Sequence, residues 1–167
     1  FNLHVTEWGD PQAPAVICWH GLARTGRDFD DLARHLAAHW RVICPDTIGR
    51  GLSQWSPDPD RDYRFAVYAE IAHAMMQGLK IERAHWVGTS MGGAIGMVCA
   101  AGLHIPALKG RIQSLVLNDM APELASAAIE RITSRGRILP VSATENDGID
   151  ALWRELRRLT APEGERR

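Results

Sequence analysis

The sequence predicts an α/β fold with a mostly parallel sheet and helices on both faces. Two observations point to it. Short, continuously apolar runs recur along the chain, as expected of parallel strands that are buried on both sides. Segments with apolar residues at helical spacing lie between these runs, and such β-α alternation is typical of a parallel sheet with crossover helices. The length of 167 residues suits one domain with a sizeable core.

Four short, mostly apolar runs predict strands. In chain order they are residues 15–19, 41–44, 84–87 and 114–117. The segments between them predict helices over residues 29–40, 65–79 and 91–103, the last rich in small residues. A loop rich in Gly, Pro, Ser and Asp, residues 46–62, joins the second strand to the second helix.

The C-terminal part of the chain has a different pattern. Apolar residues at helical spacing predict one helix that includes residues 124–132 and another that includes residues 152–159. A loop containing Pro140 separates them, and no further strand is evident. We therefore predict that residues 1–122 are the N-terminal part of an α/β core and that residues 123–167 begin a helical cap or lid.

Composition argues against several classes of protein. A net charge of -1, from 19 Lys+Arg and 20 Asp+Glu, lacks the basic excess of a nucleic-acid-binding protein. The hydrophobic fraction of 46% argues against intrinsic disorder. No apolar run approaches the ~20 residues of a membrane span, and no signal peptide is visible. The three cysteines lie in apolar segments, so we expect buried thiols in a reducing, cytoplasmic location.

The segment Gly88-Thr-Ser90-Met91-Gly92 matches the pattern Gly-x-Ser-x-Gly at the junction of the third strand and the third helix. This context predicts a sharp strand-to-helix turn with Ser90 as a nucleophile. Gly88 and Gly92 would keep side chains out of a place where backbones pass closely. The helix N-terminus would direct free N–H groups at developing negative charge. The alternative is a tight glycine-rich turn that exposes a serine by chance.

A second motif, His20-Gly21-Leu22, follows the first strand directly. An N–H group at this place can act as an oxyanion donor beside the N–H of Met91. We expect His20 to hold the loop rather than to carry a proton.

These segments together resemble the α/β-hydrolase superfamily. Trp19-His-Gly-Leu, Asp46-Thr-Ile-Gly-Arg-Gly-Leu-Ser and Gly88-Thr-Ser-Met-Gly-Gly occur in the order of that family. The segment that begins at Leu115 is similar to the strand after which a helical cap often begins in the family. The resemblance covers residues 3–122.

The resemblance implies a role for each matching residue. Ser90 would be the nucleophile, and the backbone N–H groups of Leu22 and Met91 would form the oxyanion hole. Asp46 would begin a loop whose role in the family is mostly structural. A serine at the turn argues against the epoxide hydrolase and haloalkane dehalogenase branches, which use Asp there.

The sequence offers no clear base for Ser90. In this fold the triad runs in the order Ser, acid, His. His104 is the only histidine after Ser90, and the predicted helix would carry it roughly 20 Å away. Asp119 is a candidate acid at the end of the fourth strand, although a turn or cap role is an alternative. We expect that the chain is the N-terminal part of a longer hydrolase and lacks triad-dependent turnover by itself.

The predicted function is hydrolysis of an ester or related acyl bond in a small-molecule substrate. The mechanism requires a triad and an oxyanion hole, so we expect no metal or organic cofactor. Two alternatives stay open. One is a non-catalytic ligand-binding module with the same fold, and the other is a carbon-carbon bond hydrolase that also uses a serine.

Overall fold

The computed structural model describes residues 1–119 and 138–141. The strands are β1 (Val5–Trp8), β2 (Ala15–Trp19), β3 (Arg41–Pro45), β4 (Ala84–Thr89), β5 (Ile112–Asn118) and β6 (Ile138–Val141). They form one six-stranded sheet in the order β1-β3-β2-β4-β5-β6. β1 is antiparallel to β3, and every other neighbouring pair is parallel. The predicted mostly parallel sheet is confirmed.

Four α-helices lie between the strands in the described part of the chain. They are α1 (Asp30–Leu36), α2 (Pro59–Asp62), α3 (Phe65–Gly78) and α4 (Met91–Ala101). The helix predicted over 29–40 is shorter than expected: α1 ends at Leu36, four residues early, and Phe29 belongs to a preceding 3-10 turn, Gly26–Phe29. α4 ends where Gly102 adopts a left-handed conformation with φ of 63°.

Each face of the sheet packs against helices. Ile17, Ile43 and Trp86 belong to one apolar cluster with residues of α3 and α4. Their strand neighbours, such as Val16 and Val42, belong to a second cluster with α1. This alternation follows from the two-residue period of a strand, and burial on both sides explains why the strands are mostly apolar. Helices therefore cover both faces, as predicted.

The expectation of buried thiols is confirmed. Cys18, Cys44 and Cys99 are all buried and free. Burial raises the pKa of Cys99 to about 12, so this thiol stays protonated at neutral pH.

The prediction that no strand follows residue 122 is wrong. β6 pairs in parallel with β5, from Leu115 opposite Ile138 to Asn118 opposite Val141. Pro140 lies inside this strand and not in a loop. A proline argues against a central strand because it has no N–H, but β6 is the last strand of the described sheet, where an outward-facing N–H needs no partner. The predicted helices at 124–132 and 152–159 lie outside the described residues.

The described part of the chain contains no helix with the length and apolar character needed to cross a membrane.

Candidate active site

The motif residues meet at one edge of the sheet. His20, Asp46, Ser90 and Asp119 are each the first residue after a strand, namely β2, β3, β4 and β5. These four strands are neighbours and parallel, so their carboxyl ends lie at the same edge. Ligands of open α/β sheets bind outside this edge.

Ser90 occupies a strained turn between β4 and α4. Its φ of 49° and ψ of -115° are rare for a residue with a side chain. The turn is held by backbone hydrogen bonds. The Ser90 N–H donates to the Asn118 carbonyl at 2.9 Å, and the Ser90 carbonyl accepts from the Gly93 N–H at 2.9 Å. The side chain is exposed and makes no cap hydrogen bond with the helix. The hydroxyl is therefore open to a ligand.

The two glycines of the motif allow this turn to pack. A Cβ at Gly88 would overlap the backbone of Gly92, and a Cβ at Gly92 would overlap the carbonyl of Trp19. The buried indole N–H of Trp86, on β4, donates to the Gly92 carbonyl at 3.0 Å and holds the first turn of α4 against the sheet. Close backbone approach is thus the reason for glycine at both positions.

The loop after β2 lies against Ser90. A Cβ built at Gly21 would be 3.7 Å from the Cβ of Ser90, which is ordinary contact distance. Gly21 is buried, whereas the side chain of Leu22 is 59% exposed. The structure therefore brings the Gly21-Leu22 peptide next to the serine.

His20 holds that peptide from inside the protein. Its side chain is fully buried, and its Nε2 accepts a hydrogen bond from the Thr47 N–H at 2.8 Å. Nε2 is therefore unprotonated, so Nδ1 carries the hydrogen and donates it to the Gly21 carbonyl at 2.6 Å. Burial lowers the pKa of His20, which favours this neutral form.

The hydrogen bond from His20 to the Gly21 carbonyl also sets the direction of the Leu22 N–H. In a trans peptide the carbonyl and the N–H point in opposite directions. The Gly21 carbonyl and the Leu22 N–H belong to the same peptide, so fixing the first orients the second.

Met91 is the first residue of α4, and its N–H belongs to the first turn, which has no acceptor within the helix. The eleven-residue helix adds a partial positive charge at this end. An anion beside Ser90 would meet this N–H group.

Both carboxylate oxygens of Asp46 are occupied, by groups of the loop after β2, of the loop after β3 and of the segment before β1. Oδ1 accepts from the Gly26 N–H at 2.7 Å, and Oδ2 accepts from the Leu52 N–H at 2.9 Å. Nδ1 of His4 lies 3.0 Å from Oδ2. Burial raises the pKa of Asp46, but these hydrogen bonds and His4 outweigh it, so the net pKa is lowered. The carboxylate is a charged anchor for the loop.

Asp119 lies one residue beyond the carbonyl that binds Ser90. It is exposed and has a positive φ of 54°. Its neighbour Asn118 donates from Nδ2 to the Thr89 hydroxyl at 3.1 Å. Asp119 thus lies at the same edge of the sheet as Ser90, and its role as the catalytic acid stays a prediction.

No hydrogen bond joins the Ser90 side chain to a histidine in residues 1–119. His104 follows the far end of α4, about 16 Å along the helix axis from its start. His4 contacts Asp46, and His85 contacts the Ser114 hydroxyl at 2.7 Å. A base for Ser90 is therefore not among these side chains as they are placed.

Sequence reasoning assigned no site role to three supporting residues. Thr47 holds His20, Asn118 holds Ser90, and Arg50 donates to the Leu22 carbonyl at 2.9 Å. Each contact joins residues 27 or 28 positions apart, so no local pattern could reveal it.

Comparison with known proteins shows the family of the chain. Residues 14–137 match the family described as alpha/beta hydrolase fold. The chain belongs to the α/β-hydrolase family. A 3-hydroxybutyrate-oligomer hydrolase from Cupriavidus necator is 46% identical over 127 residues, which are 75% of this chain and 41% of that protein.

Solved structures of the family are similar to the chain as well. An alpha/beta hydrolase from Novosphingobium aromaticivorans is 43% identical, with a TM-score of 0.64, over 78% of this chain and 44% of that one. The N-acyl homoserine lactonase AidH, complexed with N-butanoyl homoserine, is 30% identical, with a TM-score of 0.62, over 72% and 42% respectively. The chain spans about two fifths of the length of these relatives.

Proposed function

We propose that the protein carrying this chain is a serine hydrolase that cleaves an ester or related acyl bond of a small molecule. The observation that carries the proposal is the placement of Ser90. Its exposed hydroxyl stands on a strained turn, between the N-terminus of α4 and the Gly21-Leu22 peptide. A backbone strain of this kind is typical of functional sites.

The reaction follows acyl transfer in two stages. A base takes the Ser90 proton while Oγ attacks the substrate carbonyl carbon, and the carbonyl oxygen becomes an oxyanion. The N–H groups of Leu22 and Met91 stabilise that charge. The intermediate then collapses, the alcohol leaves with the proton from the base, and an acyl-serine remains. Water attacks the acyl-serine by the same steps and releases the acid.

The base in this proposal is a histidine of the complete protein outside residues 1–167, because His104 is the last histidine of this sequence. Asp119 is a candidate for the acid that orients it. His20 serves the oxyanion hole instead. Its buried, neutral ring is occupied on both nitrogens, by Gly21 and by Thr47. It has no free lone pair with which to accept the Ser90 proton.

Esters of short hydroxy acids are the first substrates to test. The Cupriavidus necator relative is named for hydrolysis of 3-hydroxybutyrate oligomers, which are joined by ester bonds. The proposed attack on a carbonyl carbon by Ser90 suits this bond.

One observation favours a second candidate. No described histidine bonds to Ser90, so a member of the family without a base would be a ligand-binding module. Such a module would bind an ester without consuming it. A carbon-carbon bond hydrolase is the third candidate and would use the same serine.

The test is hydrolysis of a 3-hydroxybutyrate dimer by the complete natural protein and by two serine variants. Ser90→Ala should reduce kcat by about 10⁴-fold or more, because the nucleophile is lost. Ser56→Ala is the matched control. Its hydroxyl donates to Asp62 at the end of α2 and takes no part in the proposed site, so turnover should be unchanged. Turnover by Ser90→Ala at the wild-type rate would exclude the serine mechanism. Binding of the dimer without any turnover would favour the module.

A further inference from the structure

Arg50 connects the loop after β3 to the loop that carries the proposed oxyanion donor. Its Nε donates to the Leu22 carbonyl at 2.9 Å, and its Nη1 donates to the Ile48 carbonyl at 2.9 Å. Nη1 also donates to the Tyr68 hydroxyl at 3.3 Å. The guanidinium lies 5.2 Å from the centre of the Tyr63 ring. The side chain is therefore held on several sides and is half-buried.

Arg50 has no carboxylate partner within residues 1–119. The arginines that do form ion pairs there are Arg24, Arg27, Arg34, Arg41 and Arg61. The donors of Arg50 are directed at carbonyl groups instead. A hydrogen bond from a charged donor is shorter and stronger than one between neutral groups. The planar guanidinium also fixes the directions of Nε and Nη1 relative to each other.

The bond to Leu22 complements the one that His20 makes. His20 holds the Gly21 carbonyl, in the peptide before Leu22, and Arg50 holds the Leu22 carbonyl, in the peptide after it. Together they fix both peptide planes around one residue, and hence its φ and ψ. The Leu22 side chain is 59% exposed and contributes little packing. The Arg24 N–H also donates to the Gly21 carbonyl, at 3.2 Å. The direction of the Leu22 N–H thus depends on three polar contacts, of which the one from Arg50 acts on the peptide after Leu22.

We propose that Arg50 is a positioning residue for the oxyanion hole, acting through the Leu22 carbonyl. This inference rests on the proposed serine hydrolase function. Without the guanidinium, one anchor of the loop is lost, and the Leu22 N–H samples directions away from the oxyanion. An oxyanion donor acts mainly in the transition state, so kcat falls while KM changes little.

The test uses the complete natural protein and a neutral ester, p-nitrophenyl butyrate. Arg50→Gln should lower kcat by about 10- to 100-fold, below the loss of about 10²–10³-fold for removal of a whole donor. KM should change by less than about threefold, because ground-state binding is not involved. Arg50→Lys keeps the charge but lacks a donor at the Nε position, and its kcat should be intermediate. Arg27→Gln, an exposed arginine paired with Asp30, is the control and should match the wild type.

The outcomes separate this inference from the function on which it rests. Ester hydrolysis by the wild type that Ser90→Ala abolishes establishes the serine mechanism. Given that result, wild-type kcat in Arg50→Gln would overturn the inference alone. A raised KM at unchanged kcat, above all with an ester that bears a carboxylate, would also overturn it, because Arg50 would then bind substrate. If Arg50→Gln unfolds below the assay temperature, the kcat and KM of Arg50→Lys are compared with those of the wild type instead. An unchanged kcat in Arg50→Lys would then overturn the inference. If the wild type has no Ser90-dependent activity, the proposed serine hydrolase function and the positioning role of Arg50 are both overturned.

Discussion

At the scale of single residues, the site stores strain where chemistry is proposed. Ser90 has a φ of 49°, and Asp119, one residue past the carbonyl that binds Ser90, has a φ of 54°. A non-glycine residue with a conformation of this kind costs about 1–3 kcal/mol and persists only where its surroundings enforce it. The hydrogen bond from the Ser90 N–H to Asn118 is one such constraint. The serine is kept there at a cost in stability.

We therefore expect Ser90→Gly to stabilise the fold while it removes the nucleophile. Relief of strain should exceed the entropic cost of glycine and raise the free energy of unfolding by about 1 kcal/mol. Urea unfolding of the complete protein measures the change. Ala94→Gly, four residues on in the same helix, is the control and should lower stability by about 0.5–1 kcal/mol. An equal loss in both variants would show that Ser90 is not strained.

Residue types were easier to predict than contacts. The motif around Ser90 is local, so its turn could be predicted from five adjacent residues. Thr47 and Arg50 lie in the loop after β3, whereas their hydrogen-bond partners, His20 and Leu22, lie in the loop after β2. Only the folded sheet brings them together. The roles of Ser90, Leu22 and Met91 stay predictions until they are tested.

At the scale of elements, the β4-α4 junction depends on two backbones that nearly touch. A Cβ on Gly88 would overlap Gly92 in the first turn of α4. Neither segment can move easily, because β4 pairs on both sides with β2 and β5 and Trp86 binds the Gly92 carbonyl. The turn thus requires glycine for reasons of packing.

We expect Gly88→Ala to lower the free energy of unfolding by about 3 kcal/mol or more, as overpacking against backbone in a core does. Gly78→Ala is the matched control, because a Cβ at Gly78 meets nothing within 4 Å at the end of α3. That change should be neutral or stabilise by up to about 1 kcal/mol. Chemical denaturation of the two variants, side by side, gives both values. Similar stabilities would contradict the packing account of the motif.

The elements themselves were predicted where a local pattern determines them. The four central strands are mostly apolar because helices cover both faces, and all four were predicted. β1 and β6 were not. β1 has only four residues, pairs on one side and is half-exposed, so its apolar pattern is weak. β6 has four residues including Pro140, and its place beside β5 depends on long-range pairing.

At the scale of the whole molecule, the chain holds one part of the proposed hydrolase site. The carboxyl ends of β2 to β5 bring together the serine, the proposed oxyanion donors and a candidate acid. The chain spans about two fifths of the length of its relatives. Residues 120–167 contain no histidine, so the proposed base lies outside residues 1–167. The activity proposed here therefore belongs to the complete protein.

The most direct test of the central claim is covalent labelling with a fluorophosphonate probe, followed by mass spectrometry of the labelled peptide. Such a probe reacts with a serine only when a base and an oxyanion hole activate it. In the complete natural protein we expect one adduct, on Ser90, that is absent in Ser90→Ala and retained in Ser56→Ala. No adduct in the folded wild type, or an adduct that persists in Ser90→Ala, would contradict the assignment of Ser90 as the nucleophile.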